Sequence, residues 1–335
     1  MSNLVTIKNN YLRMLNVCLY IFDEAVPSSV TGVVDLLNGA NRYMERVGKK
    51  PVFALSLVAE KDHEIPFHFN NANIQQLNYE DVQEADLIII PSFSVGNDGV
   101  LGRNQAAIKW IKEMYATRTE VASLCVGSYF LAEAGLLDGK EVTSHWAVAA
   151  DMQKRYPKIR MKSDLVTTDQ DGVYTSGGAF SSLKLILYLI EKFCGREAAL
   201  WISKMFAIEM DRTSQAHFKV FTGQHQHEDK DILKAQQYIE ENYQKDIAMD
   251  EVSSLVNMGK RNFIRRFKAA TNNTPLEYLQ RVRIESAKKA IEMNHKELPF
   301  IMEDTGYNDL KAFRKIFKRI TGLSPMEYKR KYARA

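Results

Sequence analysis

Cysteine is scarce in this chain of 335 residues, which contains only Cys18, Cys125 and Cys194. Three cysteines at wide spacings cannot form the paired framework of a disulfide-stapled domain, and they supply no closely spaced set of metal ligands. The sequence therefore predicts a protein of a reducing compartment, the cytoplasm. We expect neither a metal site nor a cofactor.

Long apolar runs are also absent. The longest run lies between Asp86 and Pro91 and is strand-sized, whereas a membrane helix needs roughly 18–20 apolar residues. The first ten residues contain no long apolar stretch and no small-residue cleavage site, so we expect no export signal and no membrane partner. With 45% hydrophobic and 26% charged residues, the chain is typical of a globular protein of two or three domains.

Charge is unevenly distributed along the chain. Residues 231–335 contain 21 Lys and Arg against 14 Asp and Glu, a net charge of +7, and the remaining residues have a net charge of −3. A basic surplus confined to one part of a chain is the sign expected of a nucleic-acid-binding domain joined to a neutral or acidic one.

Residues 12–210 alternate β-rich and helical patterns, which is typical of a mostly parallel α/β sheet. We predict a doubly wound, flavodoxin-like domain here. The predicted strands are Leu15–Phe22, Val52–Val58, Leu87–Ile90, Val121–Leu124 and Val173–Thr175. The predicted helices are Val30–Val47, Gln105–Ala116, Val126–Ala134, Ala147–Tyr156 and Phe180–Phe193, with a further amphipathic stretch from Arg196 to Met210.

The segment 211–230 is polar and aperiodic, and we interpret it as a linker. It contains His225 and His227, which could ligate a metal but are more simply explained as linker residues. Residues 231–335 then carry only helical patterns, so we predict an all-α domain with two helix-turn-helix motifs. Its predicted helices are Asp231–Tyr243, Met249–Val256, Lys260–Ala270, Pro275–Met293, Leu298–Thr305, Asp309–Arg319 and Pro325–Tyr332.

The helical half contains one motif twice, 50 positions apart. The equivalent residues are Phe263 and Phe313, Phe267 and Phe317, Thr271 and Thr321, Pro275 and Pro325, Glu277 and Glu327, and Tyr278 and Tyr328. Phenylalanines at i and i+4 predict a buried stripe on each helix, and a neighbouring face carries the positive charge. A single basic face could be merely solvated, but its duplication in register predicts two helices that dock on a polyanion.

Residues 232–332 resemble the DNA-binding domain of AraC/XylS-type transcriptional regulators. The resemblance rests on the R-x-F-K element of the first recognition helix and its K-x-F-K counterpart in the second, the Thr-x-x-Thr/Ser-Pro-x-x-Tyr turn and the pair Arg281 and Arg283. It implies that both recognition helices enter the major groove on one face of double-stranded DNA. The predicted DNA-binding residues are Lys260, Arg261, Ile264, Arg265 and Lys268 in the first helix and Lys311, Arg314, Lys315 and Lys318 in the second.

The physical chemistry of these side chains agrees with the implied role. Arg and Lys can bond guanine O6 and N7, Ile264 can meet a thymine methyl group, and the outer basic residues can hold phosphates. The chain departs from the family pattern at Gly259, where an N-capping Ser is usual, and at Ser253, where Ala is usual. Glycine at an N-cap costs only a few tenths of a kcal/mol, so the fold is not affected.

In the first half, a β-rich run ends at Cys125 and a helical pattern follows directly. Such a strand-to-helix elbow exposes a thiol at a helix N-terminus, where the helix dipole favours thiolate. This half resembles PfpI-like members of the class I glutamine amidotransferase superfamily and the sensor domain of GlxA-like AraC regulators. The resemblance rests on this elbow, the segment 134–139, the Thr-Ser-His-Trp sequence that ends at Trp146, and Thr175–Gly178.

Several parts of a PfpI-like catalytic site are missing. Enzymatic relatives have His after the nucleophile, Glu near the end of the first strand's loop and a Pro-Gly-Gly oxyanion turn; Val126, Ser29 and Phe93 occupy the corresponding places here. We therefore predict no catalytic residues and an effector pocket at the ends of the strands, lined by Cys125, Val126, Ser29, Phe93 and His145. Cys125 and His145 could instead be ordinary packing residues.

Together these observations predict a sequence-specific DNA-binding transcriptional regulator that senses a small molecule and forms a homodimer. RNA polymerase is a further candidate partner. One alternative is a PfpI-like thiol hydrolase or hydratase with a DNA-binding tail. Another is an architectural DNA-binding protein without a ligand. This alternative would be favoured if side chains filled the pocket at the elbow.

Overall fold

The computed structural model describes residues 13–63, 69, 74–94, 96, 99–225, 227–293 and 296–333. The chain divides into two compact units, Met1–Gln215 and Ala216–Ala335. The division falls inside the segment 211–230 that the sequence predicts as a linker. No helix in the described parts of either unit is long and apolar enough to cross a bilayer.

The first unit is built on a seven-stranded sheet with a second, two-stranded sheet beside it. The strands are β1 Leu15–Tyr20, β2 Phe53–Ala59, β3 Gln75–Asn78, β4 Leu87–Ile90, β5 Glu120–Ser123, β6 Glu141–Val142, β7 Arg160–Met161, β8 Thr167–Gln170 and β9 Val173–Ser176. The order is β3-β2-β1-β4-β5-β9-β8, and only β8 runs antiparallel to its neighbour. The five central strands reproduce the flavodoxin-like order, which confirms the predicted fold class.

Helices flank this sheet because its central strands are buried. All four residues of β4 are buried, as expected for a parallel strand covered on both faces. The helices are α1 Pro27–Arg46, α2 Gly99–Arg103, α3 Gln105–Ala116, α4 Ser128–Glu133, α5 Ala149–Arg155, α6 Leu183–Cys194 and α7 Arg196–Met205. The first, sixth and seventh pack together, and α3 packs against α4.

Some element predictions need correction. The elements β3, β8, α2 and the β6–β7 pair were not predicted, because they are short and, in β3, mostly exposed. The helix predicted from Val126 begins at Ser128, because Cys125–Gly127 forms a 3₁₀ turn. The helix predicted from Phe180 begins at Leu183 for the same reason, since Ala179–Ser182 is also a 3₁₀ turn.

The second unit is all helical over its described residues, apart from loops. Its helices are α8 Lys230–Asn242, α9 Met249–Leu255, α10 Lys260–Thr271, α11 Pro275–Met293, α12 Leu298–Asp304, α13 Leu310–Thr321 and α14 Pro325–Tyr332. They form two separate apolar cores. The first gathers α8, α9 and α10 on the start of α11, and the second gathers α12, α13 and α14 on its later part. Each core therefore contains one of the two predicted helix-turn-helix motifs.

Candidate functional sites

The buried aromatic stripe occurs in both copies of the repeat. The rings of Phe263 and Phe267 lie 5.5 Å apart, and those of Phe313 and Phe317 lie 5.7 Å apart. All four side chains are fully buried. Because Phe residues at i and i+4 lie over each other on a helix, their burial turns the neighbouring basic faces of α10 and α13 outward.

A threonine ends each of these two helices in the same way. The Oγ1 of Thr271 donates to the carbonyl of Phe267 at 2.8 Å, and the Oγ1 of Thr321 donates to the carbonyl of Phe317 at 2.9 Å. The next residue is left-handed in both copies: Asn272 has φ +54° and Gly322 has φ +78°. Both helices thus end in the αL conformation that commonly terminates helices.

The helix that follows is capped alike in both copies. The N–H of Thr274 donates to Glu277 at 2.8 Å, and the N–H of Ser324 donates to Glu327 at 2.7 Å. The pKa of Glu277 is held below the usual range of Glu mainly by the N–H of Thr274, and that of Glu327 mainly by the hydroxyl of Ser324 and then by its N–H. The reciprocal bonds of a capping box therefore fix the turn after each recognition helix.

All nine predicted DNA-binding side chains are exposed. Lys260 pairs with Asp250 at 3.0 Å, and Arg265 donates to Asn262 at 2.9 Å. Within the described ranges, six of the cations make no side-chain hydrogen bond or ion pair with the protein: Arg261, Lys268, Lys311, Arg314, Lys315 and Lys318. Exposed cations without protein partners can bond an external anion without first breaking an internal contact.

The two recognition helices differ at their first turn. Asp309 caps α13 by accepting a bond from the N–H of Ala312 at 2.6 Å. Gly259, at the equivalent place before α10, supplies no side-chain cap. The N–H groups at the start of α10 therefore remain available to an anion such as a phosphate.

The histidines of the predicted linker have protein partners in the second unit. The Nε2 of His225 lies 3.2 Å from Glu240, and the Nε2 of His227 lies 2.8 Å from the side-chain oxygen of Gln236. The part of the chain that the structure describes contains no group of three or more His, Cys, Asp or Glu suited to a metal.

In the first unit, Cys125 forms a strained elbow at the end of β5. Its φ is +55°, a left-handed value that costs a non-glycine residue about 1–3 kcal/mol. Its N–H donates to the Oγ of Ser176 at 3.1 Å, and its carbonyl accepts bonds from Ser128 and Ser144. The predicted strand-to-helix turn is present, and three hydroxyl groups hold it.

The thiol itself is buried, with 5% of the residue exposed, so the predicted exposure at this elbow is wrong. The N–H of Ala179 lies 3.5 Å from the Sγ of Cys125. Ala179 is left-handed too, with φ +47°. The turn after β9 therefore covers the thiol, which local sequence around Cys125 could not reveal. Two strained residues thus face each other at the carboxyl ends of adjacent strands.

Ser29 and Phe93 lie at the neighbouring strand end, but they face inward. The Oγ of Ser29 accepts a bond from the N–H of Ser92 at 3.0 Å and donates to the carbonyl of Val26 at 2.7 Å. The ring of Phe93 packs 6.0 Å from that of Phe130. Val126 is also buried, so four of the five predicted pocket residues are packed inside the unit.

His145 is the one predicted pocket residue that is partly exposed. Its Nδ1 accepts a bond from the N–H of Ala147 at 3.1 Å, and burial lowers its pKa below the usual value. A Cβ on Gly178 would lie 2.2 Å from the imidazole Cδ2, so the ring rests directly on the turn that covers Cys125. Phe180 in the same turn is 70% exposed. This turn is therefore the accessible side of the elbow.

Two family profiles match the chain. The DJ-1/PfpI family matches residues 16–192, slightly more than half of the chain, and a helix-turn-helix domain matches residues 252–331. The two matches fall in the two structural units. Over 211 residues, the chain is 28% identical to the HTH-type transcriptional regulator GbdR of Pseudomonas aeruginosa, which covers 62% of this chain and 56% of that protein. The match thus spans little more than half the length of this relative.

An enzyme and a solved structure are also similar to the chain. Isonitrile hydratase of Pseudomonas putida is 32% identical over 124 residues, which are 36% of this chain and 51% of the enzyme. A crystal structure from Vibrio parahaemolyticus, described as a transcriptional regulator, covers 58% of this chain and 99% of its own with a TM-score of 0.50 and 18% identity. At that identity the structure supports the fold alone.

Proposed function

Since this chain belongs to the DJ-1/PfpI family and carries an AraC-type helix-turn-helix domain after that region, we propose that it is a sequence-specific, DNA-binding transcriptional regulator of the cytoplasm. One observation carries the proposal: the two helices α10 and α13 present basic faces in the same register on repeated frameworks that end in the same threonine bond and left-handed residue. A duplicated basic helix is what two major-groove contacts on one duplex require.

The nine basic-face residues divide into two roles. Arg261, Arg265, Arg314 and the lysines at 311 and 315 extend from the exposed helix faces and read base edges, with Ile264 against a thymine methyl group. Lys260, Lys268 and Lys318 lie at the edges of these faces and bind phosphates. The uncapped start of α10 adds backbone N–H donors for one further phosphate.

We further propose that the first unit senses a small molecule and joins two copies of the chain. The strained residues Cys125 and Ala179 support a ligand response here, because strain of this kind is stored at functional sites. Since the thiol and Phe93 are packed inside the unit, the effector binds from the accessible side formed by His145 and Phe180. RNA polymerase would then be a partner at regulated promoters.

The packing of four of the five predicted pocket residues favours one alternative, an architectural DNA-binding protein without a ligand. The other alternative is a thiol enzyme, which the similarity to an isonitrile hydratase favours. The residues at the elbow argue against it. Val126 replaces a candidate base, and the hydroxyl of Ser29 is engaged with backbone groups on both sides. A nucleophile without a positioned base or oxyanion donors lacks most of what acyl transfer or hydration needs.

The proposal is tested by binding of the full chain to fragments recovered by genome-wide mapping of its bound DNA. Because each Lys or Arg contact with a phosphate releases counterions, log K should fall with log salt by about 0.9 for each contact, with several contacts in total. Lys268→Ala and Lys318→Ala should each reduce the slope by about one contact. Lys234→Ala on α8 removes an exposed charge from another helix and should leave the slope unchanged. A flat salt dependence of the wild type would contradict DNA binding.

A further inference from the structure

One residue lies where the long helix α11 passes from the first apolar core to the second. Val282 packs on the first core, Ile284 belongs to the second, and Arg283 stands between them. This part of α11 therefore links the core that contains α10 to the core that contains α13. The helix α11 can fix the spacing of α10 and α13 only if side-chain contacts hold each core firmly against it.

Arg283 binds the end of α8, which belongs to the first core. Its Nε donates to the carbonyl of Tyr243 at 2.7 Å, and its Nη2 donates to the carbonyl of Lys245 at 2.8 Å. Carbonyl groups at a helix C-terminus lack intrahelical partners and carry the negative end of the dipole. The forked guanidinium satisfies the carbonyl of the C-cap residue Tyr243 and that of Lys245 in the following turn at once, which an ammonium group cannot do with the same geometry.

The same guanidinium also contacts the second core. Its central carbon lies 5.3 Å from the ring centroid of Tyr307, in the turn between α12 and α13. Tyr307 is buried, and its hydroxyl has no hydrogen-bond partner among the described residues. The ring face, and not the hydroxyl, is thus the part of Tyr307 that makes this contact.

A close backbone approach completes the junction. Gly306, beside Tyr307, has φ +81°, and a Cβ at this position would lie 2.8 Å from the carbonyl oxygens of both Tyr243 and Gln244. Only glycine accommodates both this conformation and this distance. The turn before the second recognition helix therefore lies directly on the end of the first helix of the other core.

We propose that Arg283 is a positioning residue that locks the two helix-turn-helix motifs at one separation, and thereby sets the half-site spacing that the protein accepts. This inference rests on the proposed function. Arg283 joins three elements, the end of α8, the α12–α13 turn and α11 itself, so its contacts together reach both cores. Loss of the guanidinium leaves both cores intact but frees their relative orientation.

The direct test measures the distance between α10 and α13 in the full chain without DNA. Nitroxide labels are attached to cysteines introduced at Ala269 and Ala312, which are both exposed. The three native cysteines are buried, so the labels should react at the introduced sites; the chain without introduced cysteines is the labelling control. The labelled chain is mixed with an excess of unlabelled chain, so that distances between two copies do not contribute. Pulsed electron resonance should then give one narrow distance distribution for the wild type and a broad one for Arg283→Ala.

Two further variants sharpen the result. Tyr307→Phe keeps the ring face and should stay narrow, whereas Arg283→Lys keeps the charge without the fork and should broaden. Circular dichroism verifies that each variant is folded. If Arg283→Ala does not fold, the distance distribution of Arg283→Lys is the deciding test. A folded Arg283 variant with a distribution as narrow as the wild type would overturn the proposal.

A DNA experiment connects the lock to recognition. Insertion of 5 base pairs between the half-sites moves them about half a helical turn apart. The wild type should lose about 100-fold in affinity, because its second contact is no longer available at high effective concentration, and Arg283→Ala should lose about tenfold or less. Equal losses would contradict the lock. If no DNA binds but the distances behave as expected, the proposed function fails while the lock stands.

Discussion

Replacement of Gly127 by alanine should destabilise the first unit by closing a space that the elbow needs. Gly127 has φ −54° and ψ −18°, a conformation open to any residue. A Cβ there would nevertheless lie 2.5 Å from the carbonyl oxygen of Pro91 and 2.9 Å from that of Ile90. Both obstacles are backbone atoms at the end of β4, so they cannot move aside as a flexible side chain could.

The expected cost is that of overpacking a buried site, about 1–3 kcal/mol. With a urea m-value of about 2–3 kcal/mol/M for a unit of this size, the unfolding midpoint should fall by about 0.3–1.5 M. All three tryptophans, Trp110, Trp146 and Trp201, lie in the first unit. Tryptophan fluorescence therefore reports unfolding of this unit alone.

Gly102→Ala is the matched control. Gly102 lies in α2, and a Cβ there would meet nothing within 4 Å. Alanine should stabilise this exposed helical site by up to about 1 kcal/mol, since it lowers the entropy of the unfolded chain. If Gly127→Ala kept the wild-type midpoint, or changed it as Gly102→Ala does, the described approach of the elbow to β4 would be wrong.

Two other changes test the elbow and the second unit. Cys125→Ser nearly conserves volume and, because the thiol is buried, should leave DNA affinity unchanged both with and without hydrogen peroxide, measured by fluorescence anisotropy. Cys125-dependent hydratase, amidase or esterase turnover by the wild type would instead establish the enzyme. Asp229 accepts two bonds from Arg266, which hold its pKa below the usual value. The stability from this pair is full at pH 7 and is lost as the pH falls through that lowered pKa. Asp229→Asn, which can still cap α8, should therefore lower the melting temperature at pH 7 and change it little near pH 2; equal shifts at both pH values would contradict the assignment.

The sequence predicted the helical unit well because its signals are local. The spacing of Phe263 and Phe267 and its recurrence at Phe313 and Phe317 are visible within a dozen residues, and burial follows the same pattern in both copies. The Thr-Pro and Ser-Pro turns that end each motif are local as well. Helix type, order and exposed face could therefore be derived from periodicity.

The β8–β9 hairpin, of which only β9 was predicted, has a local sequence signal at its turn. Asp171 and Gly172 form its two-residue loop with φ values of +55° and +73°, and Asp-Gly is a common sequence for such turns. The strand before them, Thr167–Gln170, is polar and lacks the alternation that identifies a half-buried strand. Because β8 has no hydrophobic pattern, only the Asp-Gly turn indicates this hairpin in the sequence.

The buried state of Cys125 could not be derived from its neighbours along the chain. The groups that surround it come from Ser144, Ser176 and Ala179, which are 19 to 54 positions away and meet it only after the sheet has formed. The same holds for Arg283, whose partners on α8 and before α13 belong to different cores. Local sequence identified both residues, but only the tertiary structure shows what they contact.

The central claim is that α10 and α13 each read a separate part of one DNA site. The most direct measurement selects bound sequences from a randomised operator library with the wild type, Arg265→Ala, Lys315→Ala and the charge-matched control Lys234→Ala. The account predicts that the first two variants lose preference at separate positions about one helical turn apart, each with about 1–3 kcal/mol of discrimination, while the control keeps the wild-type preference. If both variants weakened binding to every sequence equally, these side chains would contact only phosphates and the claim would be contradicted.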